Sequence, residues 1–385
     1  MTELATSIVD ALQGVVGSGN AVLHEPRFQG NEQRYVADCI ASTFVSSIGA
    51  YVERFEQALA EYTGAKRAVA VVNGTAALQV ALRLAGVKAD DEVIVPALSF
   101  VATANAVHYL AAVPHFADSE ETRLGLDPGA LREWLTRTAE RTGEAYRNRH
   151  SGRCLRALVP MHTFGHPCDL QGLMAVAKDF RLALVEDAAE ALGSRYQGRH
   201  TGTFGQLGIL SFNGNKTITT GGGGAILTND ERLADHAKHL TTTAKRPHRW
   251  DYVHDEIGYN FRMPNLNAAL GCAQLEQLPD FLASKRRLYE RYRAAFAGLE
   301  QVRLMQEPAG CESHDWLQTL ILSEDVAEQR DDILAATNDA ELMTHPAWRL
   351  MHKLPPYRDC PCAPLPVVES LARRIINLPS SAGLV

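Results

Sequence analysis

Short, almost wholly apolar runs alternate with amphipathic helical text through the middle of this chain, and most of the runs lead into a polar cluster. The runs are Ala68–Val72, Glu92–Val95, Ala157–Pro160, Leu182–Glu186, Gly208–Phe212 and Ala225–Thr228. A strand that is apolar on both faces needs both faces covered, so runs of this kind separated by helices predict a buried, mostly parallel sheet in an α/β fold. The helical text has the right spacing. Val52, Phe55, Leu59 and Tyr62 recur on one face ahead of Gly64, and Leu78, Ala81, Leu82 and Ala85 do so ahead of Gly86. Ala102–Leu110 and Leu170–Phe180 read as further helices. In a parallel sheet, ligands bind beyond the carboxyl ends of the strands. The pattern places Asn73-Gly74-Thr75, Ser99-Phe100, His162, Asp187 and Ser211 at such ends.

At 385 residues the chain is too long for one small core, which implies a large and a smaller domain. The expected division is an N-terminal segment over 1–50, a large domain over 51–245 and a smaller C-terminal domain over 246–385, starting near Arg246-Pro247. In the last part a long helix runs from Pro264 to about Leu299, Gln318–Leu322 reads as a strand and Val326–Ala336 as a helix, and a Pro-rich tail covers Pro355 to Pro366. A net charge of -7 argues against a nucleic-acid partner. No apolar run approaches a membrane span, and the first residues lack a basic-then-apolar leader. Seven cysteines, an odd number, fit reduced thiols and a cytoplasmic setting better than a disulfide framework. Cys360-Pro361-Cys362 reads as a surface loop. His162 and His166 lie on a loop around Gly165 with no third ligand, so no metal is expected. Gly17-Ser18-Gly19 does not continue as GxGxxG, which argues against a nicotinamide-dependent oxidoreductase.

The polar clusters supply what pyridoxal phosphate (PLP) chemistry requires: an amine for a Schiff base, a carboxylate for the pyridine nitrogen, and donors for a phosphate. Lys216, between Ser211-Phe212-Asn213-Gly214-Asn215 and the run Gly221–Gly224, is the candidate amine. Asp187, at the end of a buried strand, is the candidate carboxylate, because a charge there is costly unless it is paired. Its alternative reading is a helix N-cap ahead of Ala188-Ala189-Glu190. Glu186 is the rival carboxylate, but strand alternation puts it on the opposite face. Gly74-Thr75-Ala76 opens a helix directly after a strand, a geometry that binds anions, although it is also an ordinary helix start. Ser211 could add a second hydroxyl for phosphate. Phe100 could stack on the pyridine ring or belong to the core.

Five motifs, in order, resemble those of the DegT/DnrJ/EryC1/StrS sugar aminotransferases, which have the PLP fold-type I architecture. They are Asn73–Leu78, Ser99–Ala106, Glu186–Ser194, Ser211–Gly221 and Gly258–Met263. The resemblance covers roughly residues 25–380. It implies an aspartate-aminotransferase-like large domain and a smaller α+β C-terminal domain. It also implies Lys216 and Asp187 as catalytic residues, and Gly74, Thr75, Ala76, Phe100, Glu190 and Ser211 as further cofactor contacts. Asn260 matches a residue donated to the phosphate of the neighbouring subunit, which implies a homodimer with shared active sites. Glu190 stands where many members have Gln, Asn213 where many have His, and His345 where many have Arg. Asn213 and His345 are therefore candidate substrate contacts. A PLP-dependent sugar dehydratase of the same fold would carry histidine in place of Lys216.

Within the family the chain is most similar to the legionaminic-acid-pathway aminotransferases. The stretches are Leu23–Pro26, Ser42–Ser47, Phe164–Pro167, Ser211–Lys216 and Ile376–Ser381. That likeness implies amination of a UDP-4-keto-6-deoxy-N-acetylhexosamine at C4, with glutamate as donor, for a bacterial surface glycan or nonulosonic acid. The alternatives are another nucleotide-linked keto sugar, of the GDP-perosamine type or dTDP-linked, or a non-catalytic nucleotide-sugar-binding paralogue.

Overall fold

The computed structural model describes residues 2–385. The predicted runs form the centre of a nine-stranded sheet. Its strands are β1 (Arg67–Val71), β2 (Glu92–Pro96), β3 (Val113–Ala117), β4 (Cys154–Leu158), β5 (Ala183–Asp187), β6 (Leu207–Ser211) and β7 (Gly224–Thr228), in the order β1-β7-β6-β5-β4-β2-β3. A hairpin, Ala139–Thr142 with Ala145–Asn148, adds to β4. β6, β5, β4, β2 and β3 are parallel, whereas β7 runs against both of its neighbours. The reason for that exception is the connection. Residues 212–223 join β6 to β7 as a loop without a crossover helix, and adjacent strands joined this way must be antiparallel. Lys216 rides on this loop.

β3 is not apparent from hydrophobic pattern alone, because Pro114 and His115 interrupt it. It is a strand nevertheless, at the edge of the seven-strand path, where a proline's missing N–H costs no ladder bond. The helix expected over Val326–Ala336 begins later. Glu324–Gln329 forms a 3-10 turn, and the α-helix runs Arg330–Asp339 with Asp331 and Asp332 favourably placed in its first turn. The Ile375–Leu378 strand lies hidden directly behind the helix Pro366–Arg374.

Two packed regions are bridged by one helix, Asn265–Phe296. Its first half places Ala269, Cys272, Ala273 and Leu278 against Phe55, Leu59 and Phe212 on one face of the large sheet. Its second half places Leu288, Tyr292 and Phe296 in a separate core with Leu320 and Ile376. That core rests on an antiparallel sheet of Val302–Leu304, Gln318–Leu322, Ile375–Leu378 and His345–Pro346. The N-terminal helix Glu3–Val16 completes the same core through Ile8 and Leu12, although it is far away in sequence.

Leu320 is fully buried there and does not line the cavity at the carboxyl ends of the large sheet's strands. Leu320→Ala is expected to cost about 2–5 kcal/mol, seen as a lower denaturant midpoint, while the visible spectrum of the cofactor-loaded protein stays as in wild type.

Candidate active site

The carboxyl ends of β1, β2, β5 and β6 surround one cavity of about 330 Å³. After β1 the chain enters the helix Gly74–Leu84, capped by Asn73, whose Oδ1 accepts the Ala76 N–H at 2.8 Å. The N–H groups at the helix start, those of Gly74 and Thr75, have no partner within the helix and form the positive end of its dipole. Ser211, at the end of β6, presses against this turn. A Cβ on Gly74 would stand 2.9 Å from Ser211 Cβ and 3.2 Å from its Oγ, so only glycine lets the two come together. Gly74, Thr75 and Ser211 thus make an anion cradle in the cavity wall.

Asp187 lines the same cavity. Its Oδ2 accepts from Thr103 Oγ1 at 2.8 Å, and its Oδ1 from the Ala189 N–H at 3.2 Å. Because the Thr103 proton goes to Asp187, Ser99 is the donor in the 2.7 Å contact between the two hydroxyls. Burial raises the Asp187 pKa, and these hydrogen bonds only partly offset that. Glu186 faces away and accepts from the N–H groups of Gly202 at 2.8 Å, Phe204 at 2.5 Å and Gly205 at 2.7 Å. It also bonds His162 Nε2 at 3.3 Å, while His162 Nδ1 accepts the Cys168 N–H at 3.1 Å. Among the described residues no group of His, Cys, Asp and Glu is arranged to hold a metal ion.

Lys216 reaches into the same space. Its Nζ lies 3.0 Å from Glu190 Oε1 and 3.9 Å from the centre of the Trp316 ring. Glu190 Oε2 accepts the Phe164 N–H at 3.1 Å. Burial pushes the Glu190 carboxyl up to about 7, against the pull of the nearby lysine. Phe100 precedes the helix Val101–His108 and stands half-exposed, 6.1 Å from Trp348 between ring centres. Trp348 packs in turn on Phe164 at 4.8 Å.

Gly74, Thr75, Phe100, Asp187, Glu190, Ser211, Asn213 and Lys216 all line this one cavity. Three sequence candidates do not. The Ala76 N–H is taken by the Asn73 cap and is not free for a ligand. His345 is on an exposed edge strand, and Trp348, three residues on, lines the cavity instead. Asn260 is exposed, beside Thr242. Sequence reasoning does not single out Thr103, Trp316 or Trp348. Thr103 is within its reach, one turn beyond Ser99 at a strand end. The two tryptophans carry no local signal, because they come from chain beyond the long helix and reach the site only by packing against the core of the large sheet.

The arrangement fits PLP. A buried carboxylate without a cationic ion-pair partner suits a ring N–H, the cradle suits a phosphate, and an amine lines the same cavity. The family profile described as the DegT/DnrJ/EryC1/StrS aminotransferase family matches residues 26–385. A GDP-perosamine synthase of Escherichia coli O157:H7 is 37% identical over 362 residues, covering 94% of this chain and 93% of the relative. EpsN of Bacillus subtilis, described as a pyridoxal phosphate-dependent aminotransferase, is 37% identical over 370 residues, covering 94% of this chain and 91% of its own. The crystal structure of a DegT DnrJ EryC1 StrS aminotransferase from Brucella abortus superimposes with a TM-score of 0.83 at 28% identity, over 92% of this chain and 91% of that one.

The Glu190 environment has a measurable consequence. Between pH 4.5, the ordinary value, and about 7, the folded chain keeps a proton on Glu190 that the unfolded chain has lost. The folded state binds more protons in that window, so stability falls as pH rises through it. Glu190→Gln removes this contribution. Its cofactor-free thermal midpoint should fall less steeply across the window; identical slopes would refute the assignment.

Proposed function

This chain belongs to the DegT/DnrJ/EryC1/StrS aminotransferase family, and from that premise we propose that it moves an amino group from glutamate to the keto carbon of a nucleotide-linked sugar. It is a PLP-dependent enzyme. The observation that carries the proposal is the convergence of Lys216, Asp187 and the Gly74–Thr75–Ser211 cradle on one cavity. Bound there, PLP supplies an electron-poor ring and a carbonyl that accepts and returns an amino group. Asp187 would pair with the ring nitrogen, and its burial would strengthen that pairing. Gly74, Thr75 and Ser211 would hold the phosphate and so fix the position of the whole group. Phe100, which lines the same cavity, would pack against the ring. Lys216 Nζ takes up and returns the proton of the substrate's amino-bearing carbon, held in place by Glu190 and Trp316. The two substrates use the one cavity in turn, which implies ping-pong kinetics.

The relatives favour a GDP-linked keto sugar of the GDP-perosamine type as substrate. A UDP-4-keto-6-deoxy-N-acetylhexosamine, the substrate of the legionaminic-acid subgroup, is the second reading; it rests on stretches such as Ser211–Lys216 and finds no support in those relatives. The amino sugar would enter a surface polysaccharide. We further propose a homodimer in which Asn260 serves the partner's phosphate site. Asn260 does not line the cavity of its own chain, and the exposed Trp250, Tyr252 and Ile257 precede it on the same segment.

Glutamate should bleach the visible band of the PLP-loaded protein. A GDP-linked 4-keto-6-deoxyhexose should restore it faster than the UDP-linked sugar, and faster recovery with the UDP sugar would reverse that order of preference. Lys216→Ala should remain folded without turnover, and wild-type rates in it would refute the catalytic reading. Mixing inactive Lys216→Ala with impaired Asn260→Ala subunits should restore activity, because one site of each mixed dimer then has both residues. No recovery after verified subunit exchange would place Asn260 outside the site.

A further inference from the structure

The loop carrying Lys216 is gripped at three successive residues by one segment of the chain, Ser313–Trp316. Trp316 Nε1 donates to the Asn215 carbonyl at 2.8 Å. The Trp316 ring lies over Lys216 Nζ at 3.9 Å. His314 Nε2 lies 2.7 Å from Thr217 Oγ1. On its other side His314 meets Ser194 Oγ twice, through Nδ1 at 2.7 Å and through its backbone N–H at 3.2 Å. Ser194 Oγ also donates to the Gly165 carbonyl at 2.6 Å. Ser194, Thr217 and His314 are all buried. Gly165, at φ +96°, permits the approach, since a Cβ there would stand 2.8 Å from His314 Cε1.

One arrangement of protons satisfies this set. The Gly165 carbonyl can only accept, so the single Ser194 proton goes to it. Ser194 Oγ is then an acceptor toward His314, and Nδ1 must carry a hydrogen. Burial holds the imidazole well below its ordinary pKa, and the nearby Lys285, His166, His200 and Lys216 add to that. The ring is therefore neutral, Nε2 is a bare lone pair, and the Thr217 hydroxyl points into it.

We infer that His314 is a positioning residue for Lys216: tethered by its Nδ1–H to Ser194, it accepts the Thr217 hydroxyl and so holds the backbone that aims the amine between Glu190 and Trp316. The inference rests on the proposed role of Lys216. The His314 ring does not line the cavity and acts only through Thr217.

The test is the rate at which cofactor-free protein captures PLP, fixed by borohydride at timed intervals and read as the mass of the Lys216 peptide. Thr217→Val keeps the shape and removes the hydroxyl. It should slow capture roughly tenfold, the effect of one buried hydrogen bond left unmade. Thr217→Ser keeps the hydroxyl and should stay within about twofold of wild type. His314→Phe should slow capture as Thr217→Val does. The double variant should be no slower than the slower single one, because both changes break the same bond. Circular dichroism verifies folding, and Thr217→Val remains decisive if His314→Phe does not fold. Wild-type capture by Thr217→Val, or additive losses in the double variant, would overturn the inference alone. Failure of wild-type protein to be labelled at Lys216 would overturn both the inference and the role it rests on.

Discussion

A carboxylate buried at the end of a central strand sets the terms for the rest of this structure. Asp187 forms no ion pair within the described residues, and two hydrogen bonds do not make up for its lost hydration. Such a group is stable as an anion only when a positive partner arrives. The surrounding chain is organised to receive one. Thr103 and Ala189 fix the carboxylate, and the anion cradle and Lys216 line the same cavity with it. The neighbouring Glu186 shows the contrary solution. It faces the other side of the sheet and is saturated by three backbone N–H groups and His162, so it has no capacity left for a ligand.

The site draws on both packed regions. The large sheet supplies the cradle, the carboxylate and the lysine loop. The remaining wall comes from chain beyond the long helix: Trp316 over the amine and Trp348 against Phe100 and Phe164. Asn265–Phe296 ties the two together, because one half of it packs in each core. The relative position of the two regions therefore enters the geometry of the amine. Lys285, buried inside that helix, reinforces the link by donating to the Trp316 carbonyl at 3.1 Å and the Ser380 carbonyl at 2.6 Å.

Much of this is legible in the linear chain, for a physical reason that applies residue by residue. A strand covered on both faces must be apolar throughout, so β1, β5 and β6 announce themselves, and the polar residues just beyond their carboxyl ends lie at the ligand-binding edge. Gln318–Leu322 has the same bounds in sequence and structure for the same reason. Lys216, Asp187, Gly74, Thr75 and Ser211 are identified by their position at strand ends. Edge strand β3 is not, because an edge tolerates the proline and histidine that break the pattern. The Ala76 N–H is not free for a ligand, because a capping side chain competes for it, and that competition depends on the rotamer of Asn73.

Local rules suffice for the α/β class, the ligand-binding edge, the chemical types gathered there and their resemblance to PLP aminotransferases. Those rules are the hydrophobic period, capping, and the cost of a charge at a buried strand end, and each acts within a few residues of chain. The choice of distant side chains that close the site is of another kind. Trp316 lies 101 residues from the Asn215 it bonds, His314 lies 97 from Thr217, and Trp348 packs on Phe100 and Phe164 from the far side of the chain, so no local period connects them. Their places depend on how two cores dock through a shared helix, which is a property of packing and not of any one stretch of chain.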